Sequence, residues 1–430
     1  MAQPFPNHPN LRGGFAPLQM ECDVNDLVIE GEIPRELNGS FYRNGPNPQY
    51  APRGHYHWFG GDGMVHAFHI EDGRVAYRNR WVRTIKWQKE REAGRSLFSA
   101  FNPMDNDESV AGLETDGVAN TNIIWHGGKL LALEEGHTPF ELDPHTLESI
   151  GPHIYGGKLK GPMTAHPKID PENGEMLFFG YNANGTISEH MTFSVVDRDG
   201  KLLRSESFEA PYAAMVHDFV VTRDHVIFPI MPLTGSLERA FKGGPVYAWE
   251  PQKGSHIGIM PRNGSVKDLK WFRGEASYVF HPMNAFTVDD GKIVCDVCEY
   301  PEAPLFPGVD GQPGDPKKAL AKLVRWTFDL NAQTDRYQVA QLDDLVCEFP
   351  RLDERRAGLS YRFGYFAGDT QPPEKVGGFN VIAAIDHQTG KLSSYDVGEG
   401  CATSEPIFVP RSASCEEGDG FLLAYVFDAN

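Results

Sequence analysis

The chain has 430 residues, of which 40% are hydrophobic, and a formal net charge of −19 carried by acidic residues spread along its length. Nucleic acid and anionic lipid both demand basic patches, so this balance excludes them as electrostatic partners. No run approaches the roughly 20 apolar residues of a membrane-spanning helix, and the opening "MAQPFPNHPNLRGGF" lacks the basic and apolar regions of a secretory signal, so the expectation is a cytoplasmic protein.

From the N-terminus onward, short apolar or alternating segments recur: "MVHAFHI EDGRV", "GKLLALEE", "MLFFGYNANG", "TFSVVDRDGKL", "HDFVVTRDHVIFPIM", "AFTVDDGKIVCDV", "LVRWTFDL", "NVIAAIDHQTGKLSSYDV" and "GFLLAYVF". They contain runs of four to eight residues rich in β-branched and aromatic side chains, separated by Asp-Gly or Thr-Gly turns, which is a hairpin signal repeated many times. The fold class is all-β. Helix is expected only at residues 237–243 ("LERAFKG") and 315–323 ("DPKKALAKL"), as decoration on connecting loops. A strand that ends in Asp, turns and restarts, as in "DPHTLESIG" and "DHQTGKLSSYDVG", is the rhythm of a β-propeller, and one seventh of the chain is about 60 residues, a little above the kelch repeat. The Pro/Gly-rich residues 299–316 read as a long ordered loop. Its Leu305 and Phe306, if exposed, would line an entrance or make peripheral contact with a membrane.

Six cysteines in so long a chain are no disulfide framework, and the lone C-x-x-C of Cys295 and Cys298 has no second pair at zinc-site spacing, so buried thiols are expected. The Asn-Gly-Ser/Thr triplets at Asn38, Asn184 and Asn263 read as turns. No phosphate-binding loop, dinucleotide fingerprint or G-x-S-x-G is present.

Three of the sixteen histidines stand in apolar, strand-like surroundings: His166 in "PMTAHPKI", His217 in "AAMVHDFVV" and His281 in "SYVFHPMNAF". Proline after His166 and His281 holds both in the extended region. Spacings of 51 and 64 residues, about one blade each, would bring one imidazole per blade to a common axis, which suits a metal; unrelated core histidines are the competing reading. The local pairs His55/His57 and His66/His69 are weaker alternatives beside a Gly60-Gly61-x-Gly63 turn.

The motifs "FYRNGPNPQY", "GDGMVHAF", "ANTNIIWHGGKLLALEEG", "TAHPKIDP", "MVHDFVVT", "FHPMNAF", "CEFPRLDERR" and "SEPIFVPR" occur in the order seen in the carotenoid cleavage oxygenases, and the chain resembles that family, its stilbene-cleaving members included. The resemblance implies a seven-bladed β-propeller, residues 1–430 forming a single domain with an incomplete last blade, whose short helices and loops cap the active-site face. It implies Fe(II) on the axis held by histidines, with His166, His217 and His281 matching three of four ligands and O2 as co-substrate. Glu135, Glu348 and Glu405 match outer glutamates that accept from ligand imidazoles. Thr121 matches a residue beside a vacant coordination position, and Phe59 an aromatic of the substrate cavity. The implied reaction is cleavage of a conjugated carbon-carbon double bond of a small apolar apocarotenoid or stilbene-like substrate into two carbonyl products. The alternative is a non-catalytic propeller that binds an apolar ligand or a protein partner.

Two departures stand out. The family's fourth histidine lies in a C-terminal segment like "GFHGNW", which this sequence does not contain, so a truncated chain is expected. Where stilbene-cleaving members carry a tyrosine and a lysine for a phenolic hydroxyl, this chain has Phe101 and Glu134. Phenylalanine lacks a polar tip, and a carboxylate would repel a phenolate.

Overall fold

The structure, a computed structural model, describes residues 3–54, 56–101, 103–371 and 378–429. The described residues are mostly β, arranged as antiparallel sheets whose neighbours are for the most part consecutive in sequence. Short hairpins make this meander order natural. In "EDGR", Asp72 and Gly73 both take positive φ (50° and 76°), and in "HGGK", Gly127 and Gly128 do the same (56° and 75°). Two left-handed residues in a two-residue loop match the right-handed twist of the strands they join.

The contact pattern divides the chain into two compact units, residues 1–165 with 195–204, and residues 166–194 with 205–430. The first unit carries two four-stranded sheets. One is built from Asp23–Val24, Gly39–Pro46, Gly63–Glu71 and Arg74–Trp81, the other from Asn122–His126, Lys129–Leu133, Phe140–Leu142 and Ser149–Pro152. Val65, Ala67, Leu130, Ala132, Phe140 and Leu142 form a shared apolar cluster, each nearly or fully removed from water. Burying a side chain of valine or leucine size contributes about 1.5–3 kcal/mol, so this cluster is the main cohesive element of the unit.

The second unit contains the strands that position the three histidines. Lys168–Ile169 and Met176–Gly180 pair across the Asp170–Gly174 turn, where the Asp170 carboxylate accepts from the amides of Glu172 (2.8 Å) and Asn173 (3.1 Å). Val220–Val221, His225–Ile230, Ser255–Pro261 and Lys270–Gly274 form the next sheet. Seven strands then follow in one antiparallel sheet: Tyr278–Thr287, Ile293–Tyr300, Lys322–Phe328, Gln338–Leu352, Phe363–Asp369, Val381–Asp386 and Lys391–Asp396. Every strand-like segment quoted from the sequence contains observed strand.

Three local expectations are corrected. Residues 315–323 form turns and the start of a strand; Lys322 pairs with Glu299 on one side and Val346 on the other, and this tertiary pairing overrides the helix-forming Lys, Ala and Leu. An α-helix at Ile85–Ala93 was not anticipated, whereas the one at Leu237–Phe241 was. Phe306 is buried, with its ring 6.5 Å from Tyr247, and Leu305 is half-buried, so neither is an exposed apolar tip. Among the described residues, no helix is long and apolar enough to cross a membrane.

Candidate metal centre

His166 ends an irregular stretch two residues before the strand Lys168–Ile169, and Pro167 after it disfavours helical backbone there. His217 lies on irregular backbone ahead of Val220–Val221, not on the strand its sequence suggested. His281 lies within Tyr278–Thr287 at a β-bulge. Val279 faces Glu299 and Pro282 faces Val297, which leaves Phe280 and His281 opposite Cys298 alone. Pro282 cannot donate to the ladder, and the extra residue re-aims the side chain beside it.

The three imidazoles converge. The Nε2 atom of His217 is 3.0 Å from Nε2 of His166 and 3.0 Å from Nε2 of His281. All three candidate ligand atoms lie within 4.8 Å of one another, and this is the metal-competent group found among the described residues. Two nitrogens each about 2.1 Å from a shared ion and set at a right angle would be about 3.0 Å apart, so the spacing fits a first-row metal. An all-imidazole donor set suits iron, copper, nickel or zinc and disfavours magnesium or calcium.

The surroundings prepare His281 to donate through Nε2. Its Nδ1 lies 2.6 Å from Oε2 of Glu348, a buried carboxylate that also accepts from Tyr300 Oη at 3.0 Å and from the Phe349 amide at 2.5 Å. With the proton held at Nδ1, the lone pair is left at Nε2. Burial pushes the His281 imidazolium down, but the Glu348 carboxylate more than offsets this and its net shift is upward. Burial and the two neighbouring imidazoles push His166 well below the usual histidine range, which keeps that ring neutral and able to ligate. Phe349 itself takes φ +54°, a left-handed backbone costly for an aromatic residue, next to the ladder irregularity between Glu348 and Arg351. Its ring packs 5.3 Å from His281, and Phe280 sits edge-on to His217 at 5.0 Å.

A salt bridge between residues that sequence reasoning passed over ties two ligand segments together. Lys168 Nζ is 2.7 Å from Oδ1 of the buried Asp218, so the residues just after His166 and His217 are held to each other. The signal was present in "HPK" and "HDF", but a charge next to a ligand reads equally well as a solvated one. The Glu405 carboxylate accepts from Arg351 at 3.1 Å. His387, in its turn, packs 4.7 Å from Tyr361. Cys295 and Cys298 are buried free thiols, as expected.

The remaining expected residues belong to the first unit. Thr121 precedes Asn122–His126, with its amide bonded to the Leu133 carbonyl (2.9 Å) and its hydroxyl to Asn120 Oδ1 (3.0 Å). Phe59 sits in the 3-10 turn Trp58–Gly60, 4.8 Å from the His57 ring, which also meets Phe101 at 4.8 Å. Glu135 is half-buried just beyond Lys129–Leu133. His66 and His69 bond to Tyr77 and Ser40 and do not form a ligand pair; His55 lies outside the described residues. Asn120 was missed. Buried, it donates through Nδ2 to the carbonyls of Phe59 (2.7 Å) and Gly61 (2.6 Å), so one side chain locks the Phe59 turn to the Thr121 segment. Asn120→Ala strands these carbonyls, with an expected loss of roughly 1–3 kcal/mol in urea denaturation.

Convergent imidazoles backed by a buried carboxylate make a candidate histidine-only metal centre on a mostly β scaffold. Residues 15–430 match the family model described as retinal pigment epithelial membrane protein, RPE65. Isoeugenol monooxygenase of Pseudomonas putida is 44% identical, over 98% of this chain and 90% of its own length. The crystal structure of Pseudomonas brassicacearum lignostilbene dioxygenase superposes with a TM-score of 0.94 at 39% identity, covering 99% of this chain and 91% of that one. A cobalt-substituted Synechocystis apocarotenoid oxygenase gives 0.82 at 30% identity, covering 96% and 89%. The chain belongs to the carotenoid cleavage oxygenase family, and it is an enzyme of the oxygenase type, not the non-catalytic propeller held as the alternative.

Proposed function

We propose that the chain is a non-haem Fe(II) dioxygenase that cleaves the conjugated double bond of a small aryl alkene, of the phenylpropene or stilbene type, adding one O2 per alkene and releasing two carbonyl fragments. The observation that carries the reading is the meeting of three Nε2 atoms backed by the Glu348 contact to His281. When bound, the ferrous ion supplies the one-electron chemistry that makes dioxygen reactive toward an alkene. His166, His217 and His281 hold it, and Glu348 keeps the His281 proton at Nδ1. Glu135 and Glu405 take the corresponding role toward other ligand imidazoles, with Arg351 steadying Glu405. Phe59 packs against the planar substrate, and the Thr121 methyl restricts access beside the metal. The reading also takes the successive antiparallel sheets as blades of a single seven-bladed propeller.

The preference for an aryl alkene over an apocarotenoid is supported by relatives named for isoeugenol and lignostilbene, which are more similar to this chain than the apocarotenoid oxygenase is. The test is oxygen uptake by anaerobically iron-loaded protein given a propenylphenol, a stilbene and an apocarotenal, with products identified by mass spectrometry under 18O2. The expected result is labelled aryl aldehyde from the first two. Iron-loaded protein that consumes no oxygen with any of the three would overturn the reading.

A further inference from the structure

Of the three histidines, His281 alone sits within a strand, and Glu348 also holds its ring. His217 falls between the Met215 amide, bonded to the Leu233 carbonyl at 2.9 Å, and the strand Val220–Val221. Asp218 fastens this irregular stretch. Its Oδ1 accepts from the Phe219 amide at 2.6 Å and from Lys168 Nζ at 2.7 Å, and the side chain is only 3% exposed. Lys168 is anchored in turn, because its backbone pairs with Leu177 in the hairpin of Lys168–Ile169 and Met176–Gly180. It follows His166 by two residues, the spacing at which extended backbone returns side chains to one face. The ammonium lies 5.8 Å from the Phe219 ring, which is fully buried and packs against Phe179 (5.2 Å) and Phe228 (6.0 Å). A strand pair, an ion pair and an aromatic cluster thus form one mount for two imidazoles.

We propose that Lys168 and Asp218 are positioning residues, which hold the His166 and His217 imidazoles together before a metal arrives. The inference rests on the metal-centre reading above and adds to it the device that builds the site. To ligate, each ring must turn a lone pair toward one point, and lone pairs crowded within 4.8 Å repel one another until an ion lies among them. An unfastened His217 segment would relieve this by swinging away. Fixing it in advance removes an ordering that metal binding would otherwise impose, so affinity rises without a further ligand. An ion pair suits the task because the buried Asp218 carboxylate, without Lys168, would be left uncompensated. The pair carries no net charge, so it can be removed whole: Lys168→Met with Asp218→Asn leaves no buried ion behind.

The experiment measures Fe(II) affinity of the folded protein by anaerobic chelator competition, with the visible absorption of the Co(II)-loaded form as a second reading of ligand geometry. The double variant is expected to bind iron about tenfold more weakly, at the lower end of what outer partners of metal ligands contribute, and to shift the cobalt spectrum. Lys168→Arg, which keeps the ion pair, is expected to stay within about threefold of the unsubstituted protein. If the double variant does not fold, Asp218→Asn alone serves, with a several-fold loss expected. Unchanged iron affinity and an unchanged cobalt spectrum in a folded variant would overturn the proposal, even if its urea midpoint fell, since that pattern marks a purely structural pair. Failure of the metal-centre reading shows separately, as an unsubstituted protein that binds no iron, and takes this proposal with it.

Discussion

Replacement of His217 by alanine is expected to reduce the iron content of anaerobically loaded protein to background, the largest effect of any single substitution in the second unit. His217 is the middle member of the trio: its Nε2 lies 3.0 Å from that of each neighbour, whereas His166 and His281 approach one another less closely as rings, at 5.0 Å between centroids. Its loss leaves two imidazoles with nothing between them. Glu348→Gln provides the graded comparison. The amide can still face the His281 Nδ1 proton but carries no charge to strengthen the donor, and outer partners of this kind typically change metal affinity about 10–100-fold. Metal analysis after dialysis against a graded chelator separates the two outcomes. Iron retained at one equivalent in His217→Ala would remove this histidine from the ligand set.

Lys86→Met is expected to be the most destabilising substitution in the first unit. Lys86 Nζ lies 2.7 Å from Asp62 Oδ1 and 2.9 Å from Glu90 Oε2, and both carboxylates are almost wholly removed from water. The other oxygens are also committed, Asp62 Oδ2 to the Gln49 amide (3.1 Å) and Glu90 Oε1 to the amides of Leu97 (2.9 Å) and Phe98 (3.1 Å). Removing the cation between two buried anions leaves their charge uncompensated, with a cost of roughly 3–5 kcal/mol. The measurement is the urea midpoint with the slope checked for constancy. A change under about 1 kcal/mol would mean that water reaches the carboxylates and screens them. Because Glu90 orders residues 96–98, just ahead of Phe101, the damaged protein is also expected to lose order in that segment.

The strands were legible because alternation and turn residues are local properties. Met176–Gly180 and Ile293–Tyr300 announce themselves as apolar runs between Asn-Gly or Asp-Gly signals, and His166 and His281 stand out because proline follows them. The helix Ile85–Ala93 was hidden for the opposite reason. Its buried residues are Lys86, Trp87 and Glu90, so the face that packs inward is partly charged and no apolar periodicity marks it. Thr84, whose side chain caps the helix through the Trp87 amide, and Gly94, which ends it at φ 66°, were its local clues. The bulge that turns His281, the left-handed backbone at Phe349 and the Lys168–Asp218 bridge all depend on pairings between distant segments. The closure of Glu134 onto His137 is hidden in the same way, because it needs Gly117 and Val118 brought against the end of the strand Lys129–Leu133.

The assignment of residues to the two units carries an evolutionary corollary. The ligand trio and Glu348 belong to residues 166–194 and 205–430, while Phe59, Phe101, Glu134 and His137 belong to residues 1–165. Selection can therefore alter side chains of residues 1–165 without re-solving the harder problem of bringing three imidazoles to one point. Lineages that inherit the same cluster would then be expected to diverge mainly in the side chains of the first unit.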